Sequence, residues 1–233
     1  MKTIGLLGGM SWESTVGYYR IINQAVRRRL GGLHSARIAM VSVDFAPLEA
    51  QQREGDWAGA ADVLAQAARG IEAAGADFFL ICTNTMHKVA DEVAAAVDIP
   101  LLHIADATAA ELTAHGVQTV GLLGTGFTME EDFYKGWLQR VHGLDVVVPE
   151  KADRQLVHDV IYQELCRGDI RPASKRGYLR IVAEMTRAGV QGVILGCTEI
   201  GLLIGREDTD TPLFDTTAIH AEKAVERALS NIG

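Results

Sequence analysis

Two short stretches carry the most reactive side chains of this 233-residue chain. One is Leu195-Gly196-Cys197-Thr198-Glu199, and the other is Leu80-Ile81-Cys82-Thr83-Asn84-Thr85-Met86-His87. Cys197 follows an apolar run and precedes an expected helix start, a setting that lowers a thiol pKa from about 8.5. A thiolate so placed acts as a nucleophile or as a base toward carbon; the plainer alternative is an inert buried cysteine. Cys166 falls within an expected helix and reads as packing. Two further loops, Gly8-Gly9-Met10-Ser11-Trp12 and Gly124-Thr125-Gly126-Phe127-Thr128, also place small polar residues at helix starts. Such loops hold a carboxylate through N–H groups and hydroxyls without a lysine. Ser, Thr and Asn are ordinary caps as well, but four such loops together point to a small anionic ligand.

These residues need elements to position them. Apolar runs predict strands over 3–7, 37–43, 78–82, 101–104, 119–123, 144–148, 192–195 and 213–214. Amphipathic segments predict helices over 14–29, 57–74, 85–96, 107–114, 129–141, 154–166, 173–188 and 217–229. In the second of these helices the apolar positions Ala61, Val63, Leu64, Ala67, Ala68 and Ile71 follow a three-to-four period and Gly75 supplies the stop. Continuously apolar strands imply parallel sheets covered on both faces, an α/β architecture. Gly5-Leu6-Leu7-Gly8 recurs as Gly121-Leu122-Leu123-Gly124, and Leu80-Ile81-Cys82-Thr83 as Leu195-Gly196-Cys197-Thr198 at nearly the same offset. The repeat predicts two pseudo-symmetric α/β lobes, residues 1–98 plus 212–233 and residues 99–211, with the final helix packing back on the first.

Composition excludes several classes. With 22 Lys+Arg against 30 Asp+Glu the net charge is −8, and the one basic run, Arg27-Arg28-Arg29, reads as a solvated helix end, so no nucleic-acid partner is expected. No apolar stretch reaches the roughly 20 residues that span a bilayer, and the N-terminal apolar run is too short for a signal peptide. No membrane association is therefore expected. Three cysteines make a disulfide framework improbable and fit reduced thiols in the cytoplasm. The glycines after the first strand lack dinucleotide spacing, no phosphate-loop motif occurs, and the seven histidines show no paired metal spacing. His87 is read as a site or supporting group, whereas His34, His115 and His142 read as surface residues.

Taken together, Gly8-Gly9-Met10-Ser11, Asn84-Thr85-Met86-His87, Gly124-Thr125 with Thr128-Met129, Gly196-Cys197-Thr198-Glu199 and Phe214-Asp215-Thr216-Thr217-Ala218-Ile219-His220 form a pattern. Over essentially its whole length the chain resembles the aspartate/glutamate racemases, cofactor-independent enzymes that invert amino acids. The resemblance implies two similar lobes with the active site in the cleft between them. It also implies two thiols flanking the α-carbon, an acidic amino acid as the small-molecule partner, and no cofactor, pyridoxal phosphate included. A homodimer is the default assembly.

The chain departs from that family at one place. The family motif is Cys-Asn-Thr-x-His, and here the residue before Asn84 is Thr83, with Cys82 one position earlier. Successive strand residues face opposite sides, so one position matters. The family register puts Thr83 in the site, and the internal repeat pairs Cys82 with Cys197 instead. The longer Asn-Thr-x-His match favours Thr83. Cys197 is then the strong base, and Thr83 stands in for the second cysteine; the resemblance implies that the second-half cysteine, here Cys197, serves the L-isomer. By position Asn84, Thr85, Thr125 and Thr198 are the expected contacts of the α-carboxylate and amine. Met10, Ser11 and Gln52, with Thr128, are those of the side-chain carboxylate. Glu199 holds the ammonium or caps its helix. Two alternatives stay open: a sister reaction on the same fold, of the hydantoin racemase, maleate isomerase or arylmalonate decarboxylase type, and a non-catalytic amino-acid-binding protein.

Overall fold

The computed structural model describes residues 1–230 and divides the chain into two compact units. The first comprises Met1–Ile104 and the chain from His220 onward, and the second runs from Ala105 to Ile219. In chain order the first unit contains β1 (Ile4–Gly8), α1 (Trp12–Leu30), β2 (Ile38–Ser42), α2 (Phe45–Glu54), α3 (Trp57–Ala73), β3 (Phe78–Ile81), a 3-10 turn (Thr85–Val89) and α4 (Ala90–Ala94). There follow α5 (Ile104–Ala114), β4 (Thr119–Leu123), α6 (Gly126–Glu130), α7 (Lys135–His142), β5 (Asp145–Val147) and α8 (Lys151–Gln163). The chain ends with a 3-10 turn (Leu165–Arg167), α9 (Pro172–Arg187), β6 (Gly192–Leu195), α10 (Ile200–Leu203), β7 (Leu213–Asp215) and α11 (Thr216–Leu229).

Both sheets are parallel. The first has the order β2-β1-β3 and the second β5-β4-β6-β7, so the first three strands of each are arranged alike. Strand alternation divides the first unit's core. Ile4, Leu6, Phe78, Leu80 and Cys82 pack with Tyr18, Ile22 and Val26 of α1 and with Ala221, Ala224 and Val225 of α11. Leu7, Phe79 and Ile81 belong with Leu64, Ala68 and Ile71 of α3. The first glycine of the repeated Gly-Leu-Leu-Gly has a packing cause. A Cβ at Gly5 would lie 2.4 Å from Ile71 Cγ2, and one at Gly121 2.7 Å from Met185 Cε, so each lets a helix close onto its sheet.

Several expectations change on folding. Segment 45–54, absent from the expected strands and helices, is α2; Asp44 caps it, accepting from Ala46 N–H at 3.3 Å, and Pro47 sits in its first turn. The strand expected over 101–104 reduces to a single bridge between Phe79 and Leu101, because α5 begins at Ile104. The helix over 85–96 is a 3-10 turn followed by one-turn α4, the helix over 129–141 is two helices, and Cys166 lies in a 3-10 turn. The first-lobe tail expected from 212 does not start there. β7 pairs with β6, Leu195 opposite Asp215, so the return to the first unit falls at His220 and the outward crossing at 104 rather than 98. Residues 231–233 of that tail lie outside the described residues. No helix among the described residues is long and apolar enough to cross a membrane.

Candidate active site

The first unit gathers six of the residues singled out by sequence: Met10, Ser11, Gln52, Thr83, Asn84 and Thr85. β1 ends in Gly8-Gly9, and the turn into α1 is tied by Thr15, whose Oγ1 accepts from Gly9 N–H at 2.8 Å and donates to Ser11 O at 3.0 Å. Gly8 has no room for a side chain, since its Cβ would fall 2.4 Å from Thr15 Cγ2; Gly9 turns with φ of 97°. Met10 and Ser11 are buried at this turn. Gln52, expected on a helix surface if not in the site, is only 4% exposed, and its Nε2–H donates to Met86 Sδ at 2.9 Å. It therefore lies against the 3-10 turn that follows Thr83. Asn84 and Thr85 are buried, while Thr83 is half-buried. Cys82 is wholly buried in the apolar core between the sheet and helices α1 and α11, and burial pushes its thiol far up.

In the second unit Thr125, Thr128, Cys197, Thr198 and Glu199 stand past the ends of β4 and β6. Thr125 caps α6, its Oγ1 accepting from Thr128 N–H at 3.3 Å, and the two hydroxyls lie 3.1 Å apart. Thr128 is wholly buried, so its hydroxyl serves Thr125. The Cys197 thiol donates to Glu199 Oε2 at 3.0 Å, and the Thr198 hydroxyl donates to the same oxygen at 2.6 Å. Glu199 is itself buried and makes no side-chain cap to α10. The expected lowering of the Cys197 pKa is reversed. Burial first, then the Glu199 carboxylate and Cys166, raise it well above the ordinary thiol range. The physical reason is local. α10 is a single turn of four residues starting at Ile200 and carries little macrodipole, while a carboxylate touches the sulfur. Cys197 rests as a thiol whose proton already points at an acceptor.

The ladders decide the register that the sequence left between two readings. Leu7 of β1 pairs with Ile81, and Cys82 N–H donates to Leu7 O at 2.9 Å. In the second sheet Leu123 of β4 pairs with Leu195, and Gly196 N–H donates to Leu123 O at 2.6 Å. Cys82 thus corresponds to Gly196, and Thr83 to Cys197. The offset of the Cys-Thr pairs in the sequence repeat is one residue out. Gly196 has no space for a side chain where Cys82 fills the core, since its Cβ would meet Leu122 Cδ1 at 2.8 Å.

Sequence reasoning left His87 undecided, and the structure places it, 4% exposed, on the Thr83 backbone. Its Nδ1–H donates to Thr83 O at 2.8 Å. The His at the end of the Asn-Thr-x-His motif was the available signal.

Residues 7–224 match the profile of the family described as Asp/Glu/Hydantoin racemase. Among solved structures, a Yersinia pestis protein provisionally described as an Asp/Glu racemase matches with a TM-score of 0.92 at 53% identity, covering 98% of this chain and 100% of that one. An aspartate racemase homologue from Pyrococcus horikoshii OT3 matches with a TM-score of 0.86 at 36% identity, covering 98% of this chain and 99% of that one. The broad specificity amino-acid racemase RacX of Bacillus subtilis (strain 168) is 23% identical over 178 residues, 69% of this chain and 68% of the relative. With two similarly ordered parallel sheets, a thiol poised on a carboxylate past β6, and a profile match over nearly its whole length, this chain belongs to the Asp/Glu/Hydantoin racemase family.

Proposed function

We propose that the chain is a cofactor-independent racemase of acidic amino acids, aspartate or glutamate, in which Cys197 removes the α-proton of the L-isomer and Thr83 takes the place of the usual second cysteine. The observation that carries this reading is the ladder correspondence of Thr83 with Cys197, together with the Cys197–Glu199 hydrogen bond. When the substrate ammonium comes beside Glu199, the charge that holds the thiol protonated is offset. The S–H proton leaves along the hydrogen bond to Glu199 Oε2 and passes on to solvent, and the thiolate takes the α-proton while the C–H electron pair stays on the α-carbon. Thr83 O–H delivers a proton to the other face and regains one from solvent. Inversion needs two such groups because the proton must leave from one face and arrive at the other. A hydroxyl donates a proton but is a poor base toward carbon, so the L-isomer is the preferred substrate. Asn84, Thr85, Thr125 and Thr198 hold the α-carboxylate and amine, and Met10, Ser11 and Gln52 meet the side chain; Thr128 acts by fixing Thr125. The enzyme works in the cytoplasm as a homodimer.

Solvent-deuterium exchange at the α-carbon, followed by proton NMR, tests this. Loss of the α-proton signal is expected faster from L- than from D-aspartate or glutamate, and the reverse order would sink the proposal. A site with one thiol also fits decarboxylation of a prochiral diacid. Carbon dioxide release from substituted malonates, without exchange on any amino acid, would favour that second reading.

A further inference from the structure

Below the Thr83 loop of the first unit lies a group that the proposed chemistry does not use: His87, His103, His220 and Tyr18. We infer that His87 is the positioning residue of the Thr83 loop, an imidazole locked in one tautomer that bridges the backbone of Thr83 to that of Ile104. The inference rests on the reading that Thr83 acts on substrate.

The partners fix the tautomer. A carbonyl only accepts and an amide N–H only donates. His87 Nδ1 therefore carries the proton it gives to Thr83 O at 2.8 Å, and Nε2 is the bare nitrogen that accepts from Ile104 N–H at 3.2 Å. Both nitrogens are occupied and the ring is 4% exposed, so no nitrogen remains to exchange a proton with a ligand. The backbone at both ends needs such a bridge. Thr83 lies past the last residue of β3, and Ile104 opens α5, whose first amides have no partner within the helix.

A second imidazole braces the first. His220 Nε2–H donates to Leu102 O at 2.8 Å, which leaves Nδ1 to accept from Tyr18 O–H at 2.8 Å. The His87 ring meets that of His103 edge-on at 4.5 Å and lies 6.1 Å from that of His220. A charge on any one ring would oppose the others, and burial together with this crowding keeps His87 neutral. The cluster thus ties the Thr83 loop, the segment 102–104 and the start of the returning chain into one rigid piece of the first unit.

Two variants of the full-length protein test the role. His87→Gln offers a donor and an acceptor but cannot titrate, and His87→Leu keeps bulk alone. With folding verified by circular dichroism, H87Q is expected to retain α-proton exchange within about tenfold of the parent and an unshifted pH profile. H87L is expected to lose on the order of 100-fold in kcat with little change in KM, the effect of a misplaced group. H87Q as inactive as H87L, or with a displaced pH profile, overturns positioning in favour of acid–base work; full activity in H87L overturns any role. Two readouts do not depend on turnover. Ring nitrogen NMR should show His87 protonated at Nδ1 and His220 at Nε2 throughout the neutral range, and amide exchange at Thr83–Thr85 should quicken in H87L but not in H87Q. If the parent inverts no amino acid, the racemase reading fails while these two readouts still decide the bridge.

Discussion

The ends of β3 and β6 occupy the same place in two copies of one strand arrangement, yet they are furnished in opposite ways. Past β3 the inward position holds a thiol, Cys82, sealed in the apolar core, and the next position holds a half-buried hydroxyl, Thr83. Past β6 the inward position is Gly196, with no room for a side chain, and the next is Cys197 on Glu199. Two cysteines in similar sequence surroundings therefore differ in kind. One is core filling; the other has a proton acceptor at 3.0 Å. The difference teaches that pleat position, not residue type, separates a thiol sealed in an apolar core from one held on a carboxylate, and that two similarly ordered sheets can be furnished unlike one another at their ends.

The comparison can be broken most severely at the Cys197 end. Cys197→Ser should lower exchange on the L-isomer by about 10²–10⁴-fold, the usual contribution of a positioned acid–base group. Cys82→Ser should leave it near the parent value, and equal losses in the two would dissolve the distinction. Thr83→Cys should make the two ends alike and raise exchange on the D-isomer by about tenfold or more, as one of two thiols would then serve each face. No gain for the D-isomer would remove Thr83 from the proposed role.

Smaller effects sharpen the same contrast. Glu199→Gln removes a negative charge that raises the Cys197 pKa, so alkylation of that thiol by iodoacetamide at neutral pH should quicken several-fold while exchange falls. In the parent, kcat/KM on the L-isomer should climb as pH rises above neutrality, because Cys197 rests protonated. Cys82→Ser should cost about 1–3 kcal/mol in denaturant unfolding, from a hydroxyl buried without a partner. The last effect belongs to the histidine cluster. Burial lowers the pKa of His220 to about 3 and that of His87 well below its ordinary value. The unfolded chain then binds protons first as pH falls. Stability is whole above the unfolded imidazole pKa of about 6.5 and declines as pH drops from there toward the folded values. A Tm that stays level from neutral pH down to about 5 would contradict that linkage.

Much of the fold was legible because its signals are local. The apolar period marks α3, and Ala61, Leu64, Ala67, Ala68 and Ile71 of that pattern are buried in the first unit's core, while Val63 is 40% exposed because it falls on the helix's outer side. The Gly-Leu-Leu-Gly repeat marked β1 and β4, though not why it recurs, which is the closure of α3 and α9 onto Gly5 and Gly121. α2 was missed although Asp44 and Pro47 signal its start, because its pattern is weakly amphipathic and only Leu48 and Gln52 are buried. β7 was assigned to the wrong unit because an apolar run does not say which edge it will join.

By itself the sequence determined the residue types, the internal duplication and the motifs that place the chain in its family. Those follow from local pattern and from composition, which need no third dimension. Only the tertiary structure decided that Thr83 rather than Cys82 matches Cys197, because ladder register arises from pairing between segments some 70 residues apart, as Leu7 with Ile81 and Leu123 with Leu195. It alone decided the state of the thiol too. A pKa answers to burial and to the nearest charge through space, and at Cys197 both outweigh the one-turn helix that follows it in the chain.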